Sequence, residues 1–81
     1  MVLIHVIVVG YQNKNGMRLL KNMEKAIQNI ETKINLKAIY DDNSDNYGIK
    51  NVPGLIIDGE IVCQGKVLSE RELHRIILSF A

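Results

Sequence analysis

The sequence predicts an α/β fold with a four-stranded mixed sheet, in the order β-α-β-(short α)-β-β-α. Three observations carry this expectation. A continuous apolar run, MVLIHVIVV, opens the chain. The apolar period then lengthens to that of a helix and shortens again to two. Near the other end, an Asp-Gly pair separates two short apolar runs.

Residues 2 to 9 are nearly all β-branched or apolar, which predicts a strand covered on both faces. The same run is not read as a secretory leader: it has no positively charged start, contains His5, and no small-residue cleavage site follows. It is also too short to span a bilayer. Residues 14 to 31 read as a helix, because Leu19, Leu20, Met23, Ala26, Ile27 and Ile30 fall within an arc of about 120° at a helical period. Lys14, Arg18, Lys21 and Lys25 lie on the opposite side, as a solvated back. From Ile34 to Tyr40 apolar residues alternate with Lys33, Asn35 and Lys37, the pattern of a half-buried strand. Strand, helix and strand make a βαβ unit, so the two strands are expected to be parallel.

The polar stretch DDNSDNYG, residues 41 to 48, reads as a connection with room for one short helical turn. It does not fit a calcium loop, because Asn46 and Val52 stand where a glycine and a glutamate are needed. Leu55 to Ile57 and Ile61 to Cys63 are short strands joined at Asp58-Gly59, a pair suited to the two positive φ angles of a type I′ turn. Gly65 ends or bulges the second of them. The last element begins at a capping box, Ser69 with Glu72, flanked by a hydrophobic staple of Leu68 and Leu73. Its buried stripe is Leu73, Ile76, Ile77 and Phe80, which leaves Leu78 off the stripe.

With 81 residues the chain has enough surface to bury for one modest core, so a single domain over residues 1–81 is expected. The net charge of +1 gives no reason to expect nucleic acid or an anionic membrane as a partner. Cys63 is the only cysteine, so no intramolecular disulfide can form, which suits a reducing, cytoplasmic setting. His5 and His74 have no cysteine or carboxylate at ligand spacing, so no metal and no cofactor are expected. Gly10 to Gly16 does not make a phosphate loop: the spacing is one too long, and Met17 replaces the lysine.

The stretch YGIKNVPGLIIDGEIVCQGKVLSEREL is similar to the corresponding part of small thioredoxin-like, glutaredoxin-sized single-domain proteins of the "redox-active disulfide" branch. The first half matches more loosely, through Val9-Gly10 and the helix from Arg18 to Ile27. In that family the junction after the first strand carries C-x-x-C, because a thiolate at a helix N-terminus is stabilised by unpaired N–H groups. Carried onto this sequence, the two cysteine positions fall on Asn13 and Gly16, neither of which can form a thiolate. Asn13 or Asn15 is expected to cap the helix. The resemblance also implies a cis Val52-Pro53 bond, with Val52 offering its backbone to an extended peptide. It further implies that the Tyr11–Gly16 loop and the Val52-Pro53 turn meet at one end of the sheet.

The expected function is that of a redox-inactive binding module for a protein or peptide, using Tyr11, Asn13, Asn15, Gly16, Val52 and Pro53. No dithiol oxidoreductase activity is expected. One alternative is a monothiol redox protein using Cys63. That cysteine lies mid-strand, away from any helix N-terminus, and reads more simply as a small apolar residue. The other alternative is a structural or homodimeric subunit that uses Leu78 and the edge strand bearing Cys63.

Overall fold

In the computed structural model, residues 3–40 and 46–80 are described. They form β1 (Leu3–Val9), α1 (Lys14–Ile27), β2 (Lys33–Ile39), β3 (Gly54–Ile57), β4 (Glu60–Gln64) and α2 (Glu70–Phe80). The strands make one sheet in the order β2-β1-β3-β4. β1 and β2 are parallel, with Val6 beside Leu36, whereas β3 runs antiparallel to both β1 and β4. Of the connection after β2, Asp41 to Asp45 lie outside the described residues, and residues 46–47 form a short 3-10 turn.

Alternation along the strands sorts the core. Ile4, Val6 and Val8 of β1 and Leu55 and Ile57 of β3 share one face of the sheet. There they pack with Leu19, Met23 and Ala26 of α1 and Leu73 and Ile77 of α2. Both helices therefore cover the same face. Among the described residues the other face is covered at one end only, where Val9 and Ile56 meet Ile49, with Tyr47 and Val52 at the margin. At the opposite end Leu3 and His5 are exposed. The expectation that β1 is covered on both faces is thus corrected: a continuous apolar run does not tell a central strand from one whose second face is half covered.

α1 ends at Ile27, four residues before the expected limit at 31. The next hydrogen bonds are of the tighter i→i−3 type, from Gln28 N–H to Lys25 O (3.4 Å) and from Ile30 N–H to Ile27 O (3.2 Å). Ile30 still packs against the core from this turn, so the apolar spacing runs past the helix that generates it.

At the hairpin Asp58 and Gly59 both have positive φ, 49° and 81°. Asp58 also clasps β1: its N–H donates to His5 O (2.8 Å), and its carboxylate accepts from His5 N–H (2.9 Å). The register shifts between Leu55 and Ile56, so Val62 on β4 has no residue opposite. The bulge is therefore at Val62, and Gly65 ends the strand. No helix among the described residues is long and apolar enough to cross a membrane.

The start of α2 is fixed reciprocally. Glu72 N–H donates to Ser69 Oγ (3.2 Å), while Glu72 Oε1 accepts from Ser69 N–H (3.3 Å) and Ser69 Oγ (3.0 Å). One turn in, Leu73 is fully buried. Ser69→Ala is expected to cost about 1 kcal/mol. For a domain of this size that lowers the melting temperature by roughly 4–8 °C, measured by circular dichroism.

Candidate functional site

The junction between β1 and α1 is pinned to the neighbouring strand. Gly10 N–H (2.8 Å) and Tyr11 N–H (3.3 Å) both donate to Ile39 O at the end of β2. Gly10 adopts φ +83°, and its carbonyl accepts from Asn13 N–H (3.1 Å), closing a tight turn. α1 starts on the next residue.

Asn13 holds the N-cap position with extended backbone, φ −75° and ψ 154°. Its side chain makes no capping hydrogen bond. Asn15 is an exposed residue of the first helical turn, so it is not the cap. The sequence expectation is met in position but not in bonding. No acidic residue lies in the first turn, and Lys14 opens it, so nothing from the side chains balances the positive end of the helix.

Gly16 is buried, and its backbone lies against the junction. A Cβ there would overlap Gly10 O and come within 2.7 Å of Gly10 C and 2.9 Å of Tyr11 Cα. A Cβ on Gly10 would come within 2.8 Å of Val52 Cβ and 2.9 Å of Val52 Cγ1. The turn at Val52 is therefore in direct contact with the loop at Gly10, on which Gly16 packs in turn.

The Val52–Pro53 peptide bond is cis, and Pro53 is buried. The segment around it hangs from the end of β4. Gln64 Oε1 accepts from Lys50 N–H (2.7 Å) and Asn51 N–H (3.3 Å), and Gly65 N–H donates to Pro53 O (2.8 Å). Val52 itself has neither its N–H nor its C=O bonded among the described residues.

Tyr11 stacks on Tyr40, with ring centroids 5.2 Å apart and planes inclined by 37°. Its phenol is raised above the ordinary tyrosine value, first by a side-chain hydrogen bond with Tyr40, then by burial. Tyr40 was not among the residues singled out in the sequence. The signal was available: parallel pairing of β1 and β2 brings the residues after Val9 and Ile39 to one end of the sheet. Gln64 gave no such signal, because its role depends on where β4 stops.

Cys63 is not part of this corner. It lies on β4 opposite Leu55, half-buried and packed against the main core. Burial pushes its thiol above the ordinary value; Lys66 lowers it and Glu72 raises it. A raised value means less thiolate at neutral pH, the opposite of what a nucleophile needs. Among the described residues no three His, Cys, Asp or Glu side chains group as metal ligands.

Two predictions follow from this geometry. In an ordinary helix Gly→Ala is stabilising by up to about 1 kcal/mol. Here Gly16→Ala is expected to reverse that sign and destabilise by about 1–3 kcal/mol, read from urea denaturation, because the added methyl meets backbone rather than a flexible side chain. Cys63 is expected to react slowly with a disulfide reagent at neutral pH. Its rate should rise only in alkali, with an inflection above that of a free thiol measured alongside.

No curated protein matches the sequence. The thioredoxin-domain family, in contrast, matches residues 3–78, nearly the whole of the four-stranded sheet and two helices described above. By that match the chain belongs to the thioredoxin-domain family.

Proposed function

We propose that this thioredoxin-like domain is a redox-inactive binding module that holds an extended protein segment at the corner built from Tyr11–Gly16 and Val52-Pro53. The observation that carries this reading is the backbone edge at Val52, which has no hydrogen-bond partner among the described residues. An extended peptide satisfies such an edge by main-chain hydrogen bonding. The N–H groups at the start of α1, which the Asn13 side chain does not cap, are further candidate donors at this corner. Tyr11, stacked on Tyr40, offers an aromatic surface, and the exposed Asn15 and half-buried Asn13 offer hydrogen bonds of either sense.

Dithiol chemistry has no place in this reading. The sequence has one cysteine, and a disulfide exchange cycle needs an attacking and a resolving thiol. With no internal disulfide to keep, the domain suits a reducing, cytoplasmic compartment. The raised, half-buried thiol of Cys63 favours the binding reading over a monothiol enzyme.

The test has two arms. In an insulin-reduction assay with dithiothreitol, the domain is expected to add nothing to the uncatalysed rate. In amide NMR titrations with a library of extended peptides, shifts are expected at Tyr11, Asn15 and Val52. Tyr11→Ala should then weaken binding by roughly fivefold, about one aromatic contact. Rapid insulin reduction abolished by Cys63→Ser, or peptide shifts that bypass Val52, would refute the reading.

A further inference from the structure

Away from this corner, a groove of about 530 Å³ lies between α1 and α2. It is lined by Lys25 from the end of α1 and by Glu70, Arg71, His74, Arg75 and Leu78 from α2, among others. Lys25 stands about 16 Å along α1 from Lys14, so the groove is remote from the helix start. Asn22 fixes one wall, donating from its side-chain amide to Leu68 O (2.9 Å) just before α2.

The charge on this groove is out of proportion to the molecule. Lys25, Arg71 and Arg75 face a single carboxylate, Glu70, whereas the whole chain carries only +1. None of the three cations forms an ion pair among the described residues. Helix energetics explains Lys25, a cation in the last turn of α1. It does not explain the arginines. Arg71 sits in the first turn of α2, where the helix dipole disfavours a cation. Arg75 follows four residues later, which makes a like-charged pair on one face.

Leu78 continues the same stripe, three residues beyond Arg75, and is 51% exposed. The aliphatic stems of the basic side chains extend its apolar surface, with their charged ends at the rim. An apolar floor under a cationic rim is complementary to a peptide that alternates carboxylate and aliphatic side chains. We infer that this groove docks an acidic segment of a partner protein, with an aliphatic side chain on Leu78 and carboxylates on Arg71, Arg75 and Lys25. Guanidinium groups suit this because they bind carboxylates through paired N–H donors. A nucleic acid fits less well: no Phe, Tyr or Trp lines the groove for base stacking, and the chain lacks the charge to steer a polyanion.

Fluorescence anisotropy tests this with the full chain and a fluorescein-labelled peptide of alternating Glu and Leu, against the same peptide with Gln for Glu. The acidic peptide is expected to bind, with affinity falling as salt rises, and the Gln peptide is not. The double variant R71E/R75E should weaken binding by at least roughly tenfold, and Leu78→Ser should weaken it as well. Glu at position 71 suits a helix start, so the double variant should keep its circular dichroism spectrum and melting temperature. Tyr11→Ala should leave this binding unchanged, which separates it from the corner at Val52. No binding up to about 1 mM would overturn the inference. Equal binding by R71E/R75E, or tighter binding of labelled single-stranded DNA, would do the same. So would self-association lost in that variant, since the groove would then be an interface between two copies of this chain.

Discussion

The carbonyl of Gly10 is the point on which this corner of the molecule turns. It accepts the Asn13 N–H that closes the junction, and the backbone of Gly16 packs directly over it. On the other side of the same residue, the missing side chain leaves space that Val52 fills. One backbone unit thereby fixes the end of β1, the start of α1 and the turn at Pro53 relative to each other. Its own N–H, bonded to Ile39 O, adds the end of β2. Segments as far apart in sequence as Val9, Ile39 and Val52 converge on a residue that contributes no side chain.

This convergence bears on what the corner can do. In the resembling proteins the second, resolving cysteine occupies the position that is Gly16 here. A cysteine needs room for Cβ and sulfur, and that room is taken by the Gly10 carbonyl. The absence of sulfur is therefore not a single exchanged atom in an otherwise unchanged site. The helix start packs tightly on the junction at Gly16, and the surface beside Val52 is backbone and polar side chains rather than thiol. Such a surface offers shape and hydrogen-bonding groups, which is the basis of the binding role proposed above.

Much of the fold was legible in the sequence, because its strongest signals are local. Ser69 with Glu72, and Asp58 with Gly59, specify their structures through bonds and dihedrals within a few residues, and both occur as expected. The alternation from Lys33 to Ala38 likewise needs only a strand with one buried side. What failed to read out depends on tertiary contact. The extent of α1 was overestimated because Ile30 is apolar for the sake of the core, not the helix. The half-covered second face of β1 depends on where Ile49 and Tyr47 come to rest. In the candidate site the positions of Tyr11, Asn13, Val52 and Pro53 were legible. The clash at Gly16, the aromatic partner Tyr40 and the anchoring role of Gln64 were not, since each is a contact between elements.

The two helix starts solve the same problem in opposite ways. α2 begins with a reciprocal cap and carries Glu70 and Glu72 in its first turn, so its unpaired N–H groups and positive dipole end are answered from within the chain. α1 begins with an asparagine whose side chain makes no such bond, has no acidic residue in its first turn, and opens on Lys14. A helix stabilised only by its own ends would not be built this way. α1 does not need to be, since Leu19, Met23 and Ala26 are buried in the core and hold it in place. Packing thus releases its N-terminus from the duty of self-capping, and this uncapped start follows the junction whose Gly10 packs on Val52. In a dithiol reductase that positive end serves a thiolate; in the binding role proposed above it would serve an acceptor brought by another chain.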